Sequence, residues 1–300
     1  MTGIFQRLLG RQKPEESEPL STPARSEKTV PIRHPEADPI GPAQLVVGCA
    51  QSIGMRRDHN EDALFTLTVT LSVYGGKMPF GIYIVADGMG GHMYGEVASE
   101  IAVRSMGNYL VSQLYPALIS ASPELPAETI QSVMSAGIQE AHQAVMEEAS
   151  GGGTTLTALV VIGERVTIAH VGDSRAYVVL SSGAMQVLTR DHSLVNRLVE
   201  LGQITSEEAS NHPQRNVLYR AIGQAEPVEP DIFTVQPPNS THLLLCSDGL
   251  WGVVPEDEIL ELIYTFPNPK QACQSMIEVA NASGGPDNIT AILIRLPDRG

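Results

Sequence analysis

Acidic residues recur where the strands predicted for this 300-residue chain begin or end. They occupy five separate places along the sequence: Glu61 with Asp62, Asp87, Asp173, Asp248 and Asp287. One aspartate at a strand end is usually a turn residue, but five such places beside buried strands need a further explanation. Carboxylates that converge in a folded protein must be protonated or neutralised by cations. The pattern therefore predicts a cation site.

The type of ligand indicates which cation would bind. Carboxylates and a backbone carbonyl suit Mg²⁺ or Mn²⁺, whereas zinc would favour histidine or cysteine ligands. Gly88 follows Asp87 and has no side chain, so its carbonyl can turn toward an ion. Two ions about 3.5–4 Å apart can share a water, lower its pKa and hold both oxygens of a phosphoryl displacement. The acidic residues therefore predict a phosphatase-type centre.

Such a centre also needs a donor for the remaining phosphate oxygens. Two arginines, Arg56 and Arg57, precede Glu61 in the stretch RRDHNEDA. Either guanidinium can donate to two phosphate oxygens together, which a lysine cannot do. The spacing alone leaves the choice between them open.

Other enzyme classes fit the sequence less well. The glycine cluster after Asp87 departs from the dinucleotide fingerprint at Met93, and glycines 151–153 lack the lysine of a P-loop. A cysteine-dependent phosphatase needs Cys-x5-Arg, but the sixth residue after Cys49 is Met55. An aspartyl-phosphate hydrolase needs an Asp-x-Asp triplet, and the sequence contains none.

Antiparallel strands and two helices are predicted to position these residues. Residues 155–189 read as four strands joined by turns too short for parallel crossovers. Two apolar stripes with helical spacing precede them: Val103, Met106, Leu110 and Leu114, then Ile130, Met134, Ile138, Ala141 and Val145. Residues 191–238 are less regular, and strands HLLLCSDG and NITAILIRL follow. The grouping predicts an α+β fold built in layers.

The distribution of charge disfavours several partners. The net charge is −15, and residues 1–40 carry six basic and six acidic residues, so the acidic surplus lies in the remainder. Such a surface repels nucleic acid and anionic lipid. Residues 1–42 lack periodicity and predict a disordered tail, followed by a folded domain over residues 43–297. The absence of a long apolar run predicts a cytoplasmic protein that does not bind membranes.

Seven ordered motifs resemble those of the bacterial type-2C metal-dependent serine/threonine protein phosphatases. They run over about residues 45–296: RRDHNEDA, VADGMGGH, GGTTLTALV, AHVGDSRAY, LTRDHSLV, SDGLWGVV and DNITAILI. The resemblance implies a four-layer α/β/β/α sandwich of two antiparallel sheets, with metals in the cleft at one end. It implies hydrolysis of phosphoserine and phosphothreonine by a water or hydroxide that bridges two Mn²⁺ or Mg²⁺ ions.

The resemblance also implies a role for each site residue. Asp87 would bridge the two ions, Gly88 would give its carbonyl, and Glu61 would hold a coordinated water. Asp248 and Asp287 would complete the shell of one ion. The matching positions further assign phosphate binding to Arg57 rather than Arg56, and a third, weaker ion to Asp173. A monomer that acts on phosphoproteins, opposite a serine/threonine kinase in signal transduction, is expected.

One position departs from the family pattern, and three others that could be taken for catalytic residues are expected to have structural roles. Met89 stands where many eukaryotic members have a histidine, so the general acid must be another group. His92 is a candidate, although a loop or helix-start role is favoured. His192 is predicted to be a hydrogen-bonded structural residue, and Trp251 a core residue.

Residues 200–223 resemble a mobile flap beside the active site of bacterial members. Their polar composition, with few anchoring hydrophobic residues, is consistent with movement, and we expect this segment to tune substrate choice. The alternative function from another class is a catalytically silent pseudophosphatase that binds phosphoproteins. Because Arg57, Asp87, Asp248 and Asp287 are all present, the sequence favours the enzyme.

Overall fold

Two antiparallel sheets and seven helices make up the part of the chain that this computed structural model describes. The described residues are 44–73, 76–90, 93–120, 127–224, 227–237 and 240–297. They lie within one unit, Gly41–Gly300. The tail expected over residues 1–42 lies outside the described residues, as does His92, and the domain limits 43–297 stay a prediction.

The first sheet has five strands in the order β1-β11-β10-β7-β8. Their bounds are β1 Val46–Ser52, β7 Arg175–Leu180, β8 Met185–Val187, β10 Ser240–Cys246 and β11 Ile289–Arg295. The last strand of the chain therefore lies between β1 and β10, and all the pairings are antiparallel. This arrangement brings the residues just after β10 close to those just before β11.

The second sheet has the order β2-β3-β5-β6-β9, with the two-residue strand β4 paired to the end of β3. Its strands are β2 Asp62–Val73, β3 Gly76–Met89, β4 Gly153–Thr154, β5 Leu156–Ile162, β6 Arg165–Val171 and β9 Asp231–Val235. Strand β3 continues through Asp87 and Gly88 to Met89, so the aspartate is part of the strand and does not lie in the loop that follows. The glycine-rich segment is thus partly strand.

The seven helices among the described residues connect or cover the strands. They are α1 Met93–Leu118, α2 Ala127–Glu148, α3 Leu194–Glu200, α4 Ser206–Ser210, α5 Asp248–Trp251, α6 Glu256–Thr265 and α7 Pro269–Ala282. The apolar stripes predicted for the first two helices are buried along their whole length, which confirms them. Among the described residues, no helix is both long enough and apolar enough to cross a membrane.

Three apolar clusters fill the spaces between the layers. One lies between the pair α1 and α2 and the second sheet, one lies between the two sheets, and one lies between the first sheet and helices α5 to α7. Large side chains such as Tyr83, Phe80 and Tyr177 are fully buried in them. The expected α+β sandwich of two antiparallel sheets flanked by helices is therefore confirmed.

The structure differs from the predicted strand order at two places. β6 and β7 are separated by only three residues, Gly172 to Ser174, yet they belong to different sheets. A short turn forces antiparallel pairing only if both strands stay in one sheet, and here the chain crosses between the sheets. In the irregular segment, strand β9 was missed; it is short, lies at a sheet edge and is only half-buried.

Candidate metal centre

The carboxylates of both sheets meet at one end of the sandwich. Asp62 and Asp87 are paired directly across β2 and β3, so their side chains start from neighbouring positions. Asp248 follows β10 as the first residue of α5, and Asp287 lies two residues before β11. Because β10 and β11 are adjacent, each sheet contributes two of the acidic residues.

Asp62 connects the two sheets through its carboxylate. Its Oδ2 atom accepts hydrogen bonds from Ser247 Oγ at 2.7 Å and from Thr290 Oγ1 at 2.6 Å. Thr290 belongs to β11 of the first sheet and Ser247 directly follows β10 of that sheet, whereas Asp62 belongs to the second sheet. The side chain is 7% exposed, so these bonds form in a nearly dry environment. They fix the distance between the two groups of acidic residues.

Arg57 lies at the rim of this cluster. Its Nη2 donates to Asp287 Oδ2 at 2.7 Å, and its Nη1 is 3.6 Å from Glu61 Oε2. Nearly half of the arginine side chain is exposed, so solvent reaches the guanidinium. Arg56 is also exposed, but it forms no ion pair with any described residue. Of the two arginines, the structure therefore directs Arg57 to the carboxylates.

Glu61 is a buried acid held by its backbone. Its N–H donates to Asn288 Oδ1 at 2.7 Å, and its carbonyl accepts from Gly88 N at 3.0 Å. Its Oε1 atom accepts no hydrogen bond, and His59 Nε2 is 3.6 Å away, beyond hydrogen-bonding distance. The carboxylate is therefore fixed in place without being fully paired.

Burial and mutual repulsion raise the pKa of several of these carboxyls. Burial is the main cause for all of them, and it raises the pKa of Asp62 to about 7 and that of Asp173 to about 8. Burial and the charge of Asp62 raise the pKa of Asp87 well above its ordinary value. For Asp248, burial and the charge of Asp287 raise the pKa to about 6. Without cations, this group of acids therefore resists ionisation.

The residues fit a hard divalent cation. Three buried carboxylate oxygens have no hydrogen-bond partner: Glu61 Oε1, Asp62 Oδ1 and Asp248 Oδ1. Buried carboxylate oxygens without donors are what an oxygen-preferring ion would satisfy. Within the described residues, however, no three acidic, histidine or cysteine side chains gather closely enough to hold an ion by themselves. A coordination shell here must therefore include water and a backbone carbonyl.

The glycines allow that close backbone approach. A Cβ atom on Gly88 would lie 2.6 Å from the carbonyl oxygen of Glu61, and one on Gly95 would lie 2.5 Å from Glu61 Oε1. Side chains at either position would displace the glutamate. The backbone on both sides of Asp87 is also fixed, since its N–H donates to Thr155 Oγ1 and its carbonyl accepts from Thr154 Oγ1, both at 2.9 Å. These contacts explain the sequence around Asp87 without a nucleotide.

Asp173 lies in the turn by which the chain crosses between the sheets. Its carbonyl accepts a hydrogen bond from Trp251 Nε1 at 3.0 Å, and the guanidinium of Arg175 stacks 3.6 Å from the tryptophan ring. Gly172, with a φ of +111°, lets the turn reverse. Trp251 is half-buried, so the prediction of a core residue is only partly correct: its indole N–H holds the Asp173 turn.

His192 supports the same turn from the other side. Its ring is 1% exposed, its Nδ1 accepts from Gly172 N at 3.1 Å, and its Nε2 is 3.2 Å from Asp231 Oδ2. The prediction of a hydrogen-bonded structural residue is confirmed. The flap-like residues 200–223 begin beyond it; most of residues 201–217 are exposed, and their role in substrate choice stays a prediction.

Sequence reasoning assigned no role to two residues of the centre, Asp62 and Asn288. The buried Asn288 side chain accepts from Glu61 N and donates to the carbonyls of Ile53 and His59, both at 2.9 Å. It thereby fixes the segment that carries Arg57. The sequence signals for these roles were the position of Asp62 among the acidic residues at strand ends and the adjacency of Asn288 to Asp287.

Comparisons with known proteins agree with this geometry. A family model described as protein phosphatase 2C matches residues 56–291. The chain is 41% identical to the serine/threonine phosphatase stp of Listeria innocua, over 80% of this chain and 92% of that protein. It is 35% identical to the protein phosphatase PhpP of Streptococcus pneumoniae, over 84% of this chain and 98% of PhpP.

Solved structures extend the similarity to the fold. The serine/threonine phosphatase of S. agalactiae superposes with a TM-score of 0.70 at 34% identity, covering 84% of this chain and 99% of that one. The catalytic domain of PstP, solved in complex with two manganese ions, superposes with a TM-score of 0.66 at 30% identity, covering 85% and 99%.

The fold and the site define a metal-dependent phosphoprotein phosphatase. The chain belongs to the protein phosphatase 2C family. The predicted enzyme class, a serine/threonine protein phosphatase, is thereby confirmed, and the comparisons favour it over the silent alternative.

Proposed function

We propose that this chain hydrolyses phosphoserine and phosphothreonine at a centre of two Mn²⁺ or Mg²⁺ ions where the two sheets meet. One observation carries the proposal: buried carboxylate oxygens without partners lie beside an arginine that is open to solvent. The raised pKa values of these carboxyls show that the arrangement costs stability unless cations neutralise it. A site that is costly without ions and accessible to an anion fits phosphate chemistry.

Asp87, Gly88, Asp248 and Asp287 would hold the ions, with Glu61 holding a water of the shell. When bound, the two ions supply an activated water and neutralise the charge of the phosphate. Asp62 would hold the acidic residues of the two sheets in position, because Ser247 and Thr290 bind its carboxylate from the other side of the sandwich. Asp173 would contribute to a third, weaker ion.

Arg57 would bind and orient the substrate phosphate. Its Nη2 donates to Asp287 and its Nη1 lies 3.6 Å from Glu61 Oε2, but nearly half of the side chain is exposed, so N–H groups that face solvent remain for a phosphate. Its pKa is raised by the hydrogen bond to Asp287, so it stays cationic at every physiological pH. A bidentate contact would align the phosphorus with the carboxylate cluster and favour an in-line displacement.

The leaving alkoxide needs a proton from a group other than Met89. The thioether of Met89 carries no proton to give, and the residue lies at the end of β3. The threonine alkoxide is a poor leaving group, so we expect the rate on phosphothreonine to depend on a proton supplied by solvent within the site.

Phosphorylated proteins are the substrates that the family relationship supports. A serine/threonine kinase that acts on the same substrates in a signalling pathway, and a monomeric enzyme, are further parts of this proposal. The acidic body is consistent with the absence of nucleic-acid and lipid partners. The cytoplasmic location expected from the sequence stays a prediction.

Metal-dependent phosphate release from a phosphothreonine peptide tests the proposal. We expect release with Mn²⁺ or Mg²⁺, none after addition of a chelator, and a loss of at least about a thousandfold in Asp248→Asn. Asp257→Asn, at an exposed aspartate of α6, is the matched control and should keep full activity. Activity that survives chelation would overturn the mechanism, and inactivity with every metal would favour the silent alternative.

A further inference from the structure

The segment that carries Arg57 has an unusually fixed backbone. Asn288 is 3% exposed, and its side-chain amide makes three hydrogen bonds to this segment. It donates to the carbonyls of Ile53 and His59 and accepts from the N–H of Glu61. All its hydrogen-bonding groups are used, so the amide fixes both ends of the segment at once.

The middle of the segment is packed against the loop that precedes β11. Met55 N donates to the carbonyl of Gly285 at 2.8 Å. Gly54 has a φ of +83°, and a Cβ there would overlap the carbonyl of Asp287 and lie 2.9 Å from that of Gly285. Gly54 N also donates to Ser52 Oγ at 3.1 Å. Contacts therefore fix the backbone on both sides of Arg57, at residues 53–55 and again at His59 and Glu61.

The side chains on this fixed backbone nevertheless point to solvent. Met55 is 69% exposed and Ile53 is 43% exposed, which leaves two large apolar groups on the surface. A single exposed apolar residue needs no explanation, but two on a segment held by a buried amide are presented in a defined place. We call Ile53 and Met55 the 53/55 surface.

The position of the 53/55 surface relates it to the substrate. Arg57 lies two residues from Met55, and it contacts Asp287, while Met55 contacts Gly285 in the same loop. A phosphate on Arg57 would place the neighbouring residues of the substrate within one or two residue lengths, about 4–7 Å. Met55 and Arg57 are therefore held on the same loop, two residues apart along the chain.

We propose that the 53/55 surface binds an apolar side chain next to the phosphorylated residue and so determines substrate preference. This inference rests on the proposed function, because it uses Arg57 as the phosphate site. The side chains of Ile53 and Met55 suit an apolar contact, since neither has an N–H or O–H group with which to bind a charged residue. The backbone is already ordered, so binding loses little conformational entropy there.

Phosphothreonine peptides that differ only beside the phosphorylated residue test the inference. With the full chain and Mn²⁺, kcat/KM should be about tenfold higher for leucine neighbours than for alanine neighbours. The double variant Ile53→Ser and Met55→Ser should bring this ratio near one while leaving p-nitrophenyl phosphate hydrolysis unchanged. The backbone contacts of Asn288 and Gly285 do not involve the replaced side chains, so the variant should fold.

Ile119→Ser is the matched control. Ile119 is 58% exposed and follows the far end of α1, about 39 Å from the start of that 26-residue helix. It should keep the leucine preference of the wild type. Arg56→Ser, tested with aspartate neighbours, separates apolar recognition from charge recognition by the adjacent free arginine.

Three results with peptide substrates would overturn the inference. They are equal kcat/KM values for leucine and alanine peptides in the wild type, an unchanged ratio in the double variant, and a preference for aspartate that Arg56→Ser removes. A parallel loss of p-nitrophenyl phosphate hydrolysis in the double variant would also overturn it, because the surface would then support catalysis. Failure of the proposed function would instead appear as no phosphate release from any substrate with Mn²⁺.

Discussion

Two buried polar regions of this protein differ in whether their polar atoms have hydrogen-bond partners. The histidine cluster, formed by Thr157, His170, His192, Arg220 and Asp231, pairs every ring nitrogen. His170 binds Thr157 Oγ1 at 2.9 Å and the carbonyl of Arg190 at 3.0 Å, and His192 contacts Gly172 N and Asp231. In the carboxylate centre, three buried oxygens have no partner.

The difference separates structural from functional polarity. Burial lowers the pKa of His170 to about 3 and keeps its ring neutral, so its hydrogen bonds cost little. Burial raises the pKa of Asp62 and Asp87, and the charges of neighbouring carboxylates add to it. A paired network stabilises the fold by itself, whereas a group of like charges needs a ligand from outside. The site is therefore identified by buried polar atoms that have no hydrogen-bond partner, and not by burial alone.

The largest expected effect is stabilisation of the centre by metal. With Mn²⁺ at about one hundred times its dissociation constant, the free energy of unfolding should rise by about 2.7 kcal/mol. For a domain of this size, that corresponds to a rise in Tm of about 5–10 °C. Thermal unfolding of the chelated protein, before and after Mn²⁺ is added, measures the shift.

A variant of each region serves as the comparison. Asp287→Asn should lose most of the Mn²⁺ shift, because it removes a proposed ligand. Thr157→Val should lower the Tm but keep the full shift, because it removes only a hydrogen bond of the histidine cluster. Equal shifts in Asp287→Asn and the wild type would show that the ion binds elsewhere.

A smaller effect is expected from neutralising one carboxylate without metal. In Asp62→Asn, the amide oxygen can still accept from Ser247 and Thr290, and repulsion from the nearby acids is removed. We expect the chelated variant to be more stable than the wild type at pH 8, by about 2 kcal/mol. Urea unfolding at pH 8 and pH 4.5 measures the difference.

The sign of the pH dependence follows from the pKa of Asp62. Its folded value of about 7 lies above the unfolded value of 3.8, so the folded state binds the proton more tightly between these values. The stability of the chelated wild type therefore falls as the pH rises through this range. The advantage of Asp62→Asn should shrink at pH 4.5. A variant less stable than the wild type at both pH values would contradict the account of the centre.

The fold was predictable where periodicity determines burial. The two helical stripes and the strands β5, β6, β7, β10 and β11 were recognised because their apolar spacing matches the layer that they cover. The crossing at Gly172 to Ser174 was not recognised, because a short turn reads the same whether the next strand stays in its sheet or enters the other. Strand β9 was not recognised either, because it is defined by its pairing with β6, which forms only in the folded protein.

The site was predictable as a set of residue types, but its internal contacts were not. Acidic residues at strand ends, with the family resemblance, indicated Asp87, Asp248 and Asp287. The role of Asp62 depends on Ser247 and Thr290, which lie 185 and 228 residues away along the chain. The three bonds of Asn288 likewise join it to a segment almost 230 residues earlier. Such contacts exist only after the sheets have packed.

The smallest expected effect has the opposite pH dependence and belongs to the histidine cluster. The folded pKa of His170, about 3, lies below the unfolded value of 6.5, so the unfolded state binds the proton first as the pH falls. This contribution to stability is complete above pH 6.5 and is lost toward pH 3. His170→Gln retains one donor and one acceptor but does not titrate. Relative to this variant, the wild type should lose about 1.4 kcal/mol between pH 7.5 and pH 5.5.

Urea unfolding of the wild type, His170→Gln and Thr157→Val at both pH values measures this loss in chelated protein. Thr157→Val keeps the imidazole and should follow the slope of the wild type, although it starts from a lower stability. Identical slopes in the wild type and His170→Gln would mean that His170 does not stay neutral when buried. The histidine cluster would then contain a buried charge, as the carboxylate centre does, and the distinction between the two regions would fail.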